Sequence, residues 1–146
     1  VKDIYGDQLR DNYELVDRIR VNVLDYCSKN QTDLIFTYVY EGSDDDDSVR
    51  GLVKTIEDNQ GEVLFVELSA DREDLISRVD NESRRRYKKL TDPVVMDRIT
   101  RDMSPYSIPF VDPLKINTSV LSSDEAAEAI VNSYRLSSGR GTKRLQ

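Results

Sequence analysis

The chain has 146 residues, a formal net charge of −7, one cysteine and no histidine. That length suits one domain burying roughly 68–70% of the surface its unfolded form exposes. Lacking histidine, it cannot build a Ser-His-Asp or Cys-His centre from its own side chains. A lone Cys27 excludes an intrachain disulfide and a multi-cysteine zinc site.

Tyr13–Asn30 places Leu15, Val16, Ile19, Val23, Leu24 and Cys27 at three- and four-residue intervals, which predicts an amphipathic helix with Asp11 or Asn12 as N-cap. Cys27 reads as a small core residue of that helix, and an unpaired thiol fits a reducing, cytoplasmic setting. Asp33–Tyr40, DLIFTYVY, is β-branched and aromatic almost throughout, the pattern of a strand buried on both faces. Glu41-Gly42-Ser43 reads as a turn. Asp44–Asn59 returns to helical spacing, with Val49, Leu52, Val53 and Ile56 toward a core and Gly61 as the C′ residue.

Glu62–Ser69, EVLFVELS, predicts a second buried strand, and Arg72–Val79 a short helix opened by Ala70 or Asp71. Asp92 caps a helix across Pro93–Thr100, where proline suits the first helical position. Ser104–Pro113 holds three prolines and reads as an extended loop, and Leu114–Asn117 as a short third strand. Ser122 and Glu125 match a capping box at the start of a last helix, Asp124–Tyr134. Residues 137–146 read as a flexible basic tail behind a single domain spanning 1–136.

Alternating helices and strands predict an α/β fold: a parallel sheet with helices on both faces, in three layers. Ligands of such sheets bind beyond the carboxyl ends of the strands. Those ends are Tyr38–Glu41, Leu68–Ala70 and Asn117–Ser119. Three strands that each read as fully buried make a poor sheet alone, so a further strand is expected.

Charge is unevenly placed. From Arg78 to Arg101 there are eight basic and four acidic residues, a local +4 against −11 for the rest. A positive island in an acidic chain points to a small anionic ligand, and the global balance argues against nucleic acid as partner. No apolar run approaches about 18 residues, so no membrane span is expected. Val1–Tyr13 is mostly polar and shows no signal-peptide pattern.

The blocks DLIFTYVY, EVLFVELSADREDLISRV, NESRRRYKKLTD and IPFVDPLKINTSVLSSDEAAEAIV follow one another in an order and at spacings that resemble small P-loop kinase-like proteins, a group including shikimate kinases, adenylate kinases and AAA-type nucleoside-triphosphate-binding proteins. The resemblance covers Asp33 to Val131. It implies ATP and magnesium as cofactors and a small-molecule acceptor as substrate. It also implies a lid over about residues 81–105, in which Arg84, Arg85, Lys89 and Arg101 meet phosphates. The chemistry suits arginine, because phosphoryl transfer is stabilised mainly electrostatically and guanidinium forks match phosphate oxygens. The resemblance further places Tyr38, Tyr40 and Glu41 on the acceptor side and Asn117 and Thr118 in a loop beside the nucleotide base.

The sequence departs from the family at its most diagnostic point. It contains no GxxxxGK[ST], the loop whose backbone N–H groups cradle phosphates. The one glycine cluster, Gly139-Arg140-Gly141-Thr142-Lys143, has the wrong spacing. The family's first strand and phosphate loop are expected before Val1, with that strand seated between Asp33–Tyr40 and Glu62–Ser69. A chain lacking it is expected to be unstable alone.

Each candidate fits a plainer role too. The arginines suit a solvated helix face. Asp44–Asp47 suits a helix N-terminus better than a divalent-metal site. Tyr38 and Tyr40 suit packing as well as substrate contact, and Asn117–Ser119 suits a simple strand-to-helix turn. Glu41 stands where the family more usually has Asp, which weakens a metal-binding role. Two classes of function follow: an ATP-dependent small-molecule kinase, or a non-catalytic nucleotide-sensing or protein-binding domain that has lost its phosphate loop.

Overall fold

The computed structural model describes residues 13–87, 89–102 and 107–136. The proposed caps Asp11 and Asn12, Lys88, part of the expected lid and the glycine cluster of the tail lie outside the described residues. By internal contacts the chain forms two compact units, Val1–Val63 and Leu64–Gln146.

In the first unit, α1 (Tyr13–Lys29) packs against α2 (Asp46–Glu57). Both form where the apolar spacing predicts. Leu24 and Val49 are buried, Val16, Ile19, Cys27, Leu52, Val53 and Ile56 are half-buried, and Leu15 and Val23 face solvent. A polar knot adds to this packing: the Asn59 amide donates to Asp25 Oδ1 (3.1 Å), Ser28 Oγ (3.0 Å) and the Thr55 carbonyl (2.9 Å). The end of α2 differs from expectation. Gln60, at φ 64°, takes the left-handed position, and Gly61 is needed for close approach: a Cβ there would lie 2.6 Å from Ile56 Cγ2. The turn before α2 does rest on its glycine, since Gly42 has φ 116° and ψ −163°, a region essentially reserved for glycine.

Asp33–Tyr40 is not a strand. It has no ladder partner among the described residues, and Ile35 and Val39 are 94% and 74% exposed. A β-branched sequence favours extended backbone, but only a neighbouring chain supplies the inter-strand bonds that make a strand. The segment is anchored instead at its far end, where its tyrosines meet the acidic run before and within α2.

The second unit is built on two parallel strands, β1 (Val66–Ser69) and β2 (Leu114–Asn117), with Val66 opposite Leu114 and Ser69 opposite Asn117. β1 is shorter than the expected Glu62–Ser69 because its partner offers only four residues to pair with. It is also not buried on both faces: Leu68 is 63% exposed beside an edge that has no partner among the described residues. α6 (Ser123–Ser133) packs on β2, while α3 (Arg72–Ser77) packs against α5 (Pro93–Asp102), and α4 (Glu82–Arg86) follows in the same group of helices. A 3-10 turn, Arg78–Asp80, links α3 to α4 and carries Val79, the most buried side chain of the unit at 1% exposure. Ile116 and Ala126 complete the buried set. The Tyr134 hydroxyl, just past α6, donates to the Phe65 carbonyl and accepts from the Leu114 amide at 3.3 Å.

Both cap predictions hold here. Asp92 Oδ1 accepts from Val94 N (2.8 Å) and Val95 N (3.2 Å). Ser122 and Glu125 form the reciprocal capping box at the start of α6. The chain is therefore mixed α/β with a small parallel sheet. No helix among the described residues is long and apolar enough to cross a membrane.

Candidate functional site

The carboxyl ends of β1 and β2 are stitched into one loop cluster. Beyond the last ladder pair, the Ser69 carbonyl accepts from both the Thr118 amide (2.8 Å) and the Thr118 hydroxyl (2.9 Å). Asn117 Nδ2 reaches Asp71 Oδ1 at 3.2 Å, and Ser119 Oγ accepts from the Asp71 amide at 2.7 Å. The Ser119 amide closes onto Asn117 Oδ1 at 2.8 Å. Asp71 thus stands at the N-cap of α3 but spends its carboxylate across the loop rather than on its own helix.

Arg78 completes the cluster. One terminal nitrogen donates to the Thr118 carbonyl at 2.7 Å, the other to Thr118 Oγ1 at 3.2 Å. Sequence reasoning counted Arg78 within the basic stretch but gave it no role. Ser69 was expected at the ligand-side end of its strand and Asp71 at the opening of its helix, but neither was assigned a partner across the loop. The usable signal was position: Arg78 is the first cation of the positive island and follows α3 directly.

The basic segment starts at this cluster. Arg84 is half-buried, and its Nε donates to the Leu90 carbonyl at 2.9 Å while the Lys89 amide returns to the Arg84 carbonyl at 2.9 Å. The terminal nitrogens of Arg84 and the ammonium of Lys89 have no partner among the described residues. Arg85 is paired instead: its Nε donates to Asp80 Oδ1 at 3.0 Å, and that carboxylate raises its pKa. Arg101 meets Asp97 Oδ2 at 2.6 Å, and the same carboxylate holds Arg72. Arg86 lies over the Tyr87 ring at 5.7 Å.

The acceptor-side candidates lie in the first unit and gather on the acidic run. The Tyr38 hydroxyl donates to Asp45 Oδ1 at 3.1 Å, the Tyr40 hydroxyl to Asp46 Oδ1 at 2.6 Å, and the Glu41 amide to Asp45 Oδ2 at 2.7 Å. Burial, then the Asp45 hydrogen bond, raises the Tyr38 pKa. The bond to Asp46, with some desolvation, pushes Tyr40 up to about 12. The Arg20 guanidinium sits 5.3 Å from the Tyr38 ring centroid. The Glu41 side chain is exposed.

No group of three or more acidic or cysteine side chains among the described residues is arranged to hold a metal ion. A hollow along α1, lined by Asp17, Arg18, Val21 and Asn22, includes none of the sequence-predicted site residues. No protein-family model, curated protein or solved structure matches the chain.

Proposed function

We propose that the chain is the larger part of a three-layer P-loop kinase-like domain, and that the full-length protein transfers a phosphoryl group from ATP to a small-molecule acceptor. The observation that carries this reading is the stitched carboxyl end of the parallel pair β1–β2, from which a basic segment departs. In parallel α/β sheets that end is where ligands bind.

In this reading Arg84 is the leading phosphate contact. Its Nε is held by the Leu90 carbonyl, which leaves the terminal fork oriented and open, and a pre-ordered guanidinium loses little entropy on binding. Lys89 adds a second cation. Arg85 and Arg101 join only by exchanging Asp80 and Asp97 for phosphate oxygens, an easy exchange because both pairs are exposed and such pairs contribute only about 0–1 kcal/mol. Asn117 and Thr118 border the base. When bound, ATP with magnesium would supply the transferable phosphoryl group.

The test is calorimetric titration of the full-length protein with MgATP, beside an Arg84→Ala variant. Saturable binding, weakened at least tenfold in the variant, is expected; equal binding by both removes Arg84 from the reading. A second reading, a non-catalytic nucleotide-sensing or protein-binding domain, draws on one observation. The hydroxyls of Tyr38 and Tyr40 are both committed to carboxylates rather than left open for a substrate. Nucleotide binding without phosphoryl transfer to any acceptor would favour it.

A further inference from the structure

We infer that Arg78 is the positioning residue that sets the shape of the loop Asn117–Ser119 and so governs recognition of the nucleotide base; this rests on the nucleotide-binding reading above. Three features of the cluster lead there. First, Arg78 uses both terminal nitrogens on one residue, Thr118, 40 positions away. Second, Thr118 is itself held by the end of β1, its hydroxyl donating to Ser69 O while accepting from Arg78. Third, Val79, the neighbour of Arg78, is the most deeply buried side chain of the unit. A fork mounted on a turn anchored by a buried valine therefore clamps the carbonyl and hydroxyl of one loop residue. Charged donors make the stronger hydrogen bonds, and bidentate ones fix orientation as well.

The consequence is a division of labour within the positive island. The Arg84 terminal nitrogens and the Lys89 ammonium have no protein partner among the described residues, whereas Arg78 has its fork spent on protein oxygen. Losing the Arg78 fork frees the Thr118 carbonyl and lets the loop move, while the phosphate-facing cations stay in place. Base affinity and phosphate affinity should then separate.

The experiment compares wild-type full-length protein with Arg78→Lys, which keeps the charge and loses the fork, and with Thr118→Val, which keeps the clamped carbonyl and loses the bridging hydroxyl. Each is titrated with MgATP and with magnesium tripolyphosphate, and amide exchange is followed at Thr118 and Val120. For Arg78→Lys the expected result is a loss of about tenfold or more in ATP affinity, the scale of a charged hydrogen bond. Tripolyphosphate affinity should change less than about twofold and the two amides should exchange faster. Thr118→Val should move in the same direction by less, and it carries the test if Arg78→Lys does not fold. ATP affinity and amide exchange unchanged in both variants would overturn the assignment of Arg78. Parallel losses for ATP and tripolyphosphate would overturn it too, by making Arg78 a phosphate ligand. Wild-type protein that binds neither ligand would instead overturn the phosphotransfer reading, and the base-recognition role with it.

Discussion

Tyr40 donates a 2.6 Å hydrogen bond to Asp46, the first residue of α2. Two residues earlier Tyr38 does the same to Asp45, the residue before Asp46. The run Asp44–Asp47 therefore has a structural use: two of its four carboxylates hold the extended segment before α2, and the run also lies at a helix start, where negative charge is favoured.

The first prediction concerns pH. Because Asp46 accepts a hydrogen bond from the Tyr40 hydroxyl, the folded state favours neutral Tyr40, with its pKa up to about 12, against about 10 for an unperturbed tyrosine. A pKa raised on folding stabilises the folded state fully below the unfolded value. That stabilisation is lost as pH rises from about 10 through about 12. Tyrosinate absorbance, with Tyr40→Phe to assign the signal, should show one tyrosine ionising near that value. In Asp46→Asn the same tyrosine should ionise nearer 10; no change would contradict the pairing.

A second prediction tests the junction of α1 and α2. Asn59→Ala removes a donor shared by three acceptors on two helices and should cost about 1–2 kcal/mol in denaturant unfolding. Gly61→Ala should cost about 1–3 kcal/mol by overpacking, because Ile56 Cγ2 would sit 2.6 Å from the new Cβ. Ala tolerated at 61 would contradict the close approach.

The start of α6 gives a third. Ser122 holds the Glu125 carboxyl below its usual range through its hydroxyl and its backbone amide. A depressed carboxylate stabilises above the unfolded pKa, about 4.3, and that contribution disappears as pH falls through the lowered folded value. Ser122→Ala should cost about 1 kcal/mol and flatten this acid dependence. An unchanged acid limb would remove the box from the account.

Val79→Ala is the fourth. At 1% exposure the side chain carries close to the full burial value for valine, so a loss of up to about 1.5–3 kcal/mol is expected, with faster amide exchange in the second unit. A loss below about 0.5 kcal/mol would contradict its place in the core.

What the sequence made legible was local. Helical spacing gave α1 and α2, Asp92 and Ser122 marked their helices, and LKIN was a strand where expected. What it hid was pairing. DLIFTYVY reads as strand from composition, yet a ladder needs a second chain that composition does not name. The C′ glycine at 61 was misread for a related reason: its neighbour Gln60 takes the left-handed turn, and only the packing of Ile56 explains the missing side chain. At the candidate site, the positive island was visible as charge. The different fates of its members were not, because Asp80, Asp97 and Thr118 choose among the arginines through the fold.

The central claim is that the carboxyl ends of β1 and β2, with the basic segment, form part of a nucleoside-triphosphate site. Thermal unfolding of the full-length protein, with and without millimolar MgATP, tests it most directly. A ligand at about 100 times its Kd adds about 2.7 kcal/mol, so a clear rise in Tm is predicted, reduced in Arg84→Ala. No rise for the full-length protein at millimolar MgATP would contradict the account.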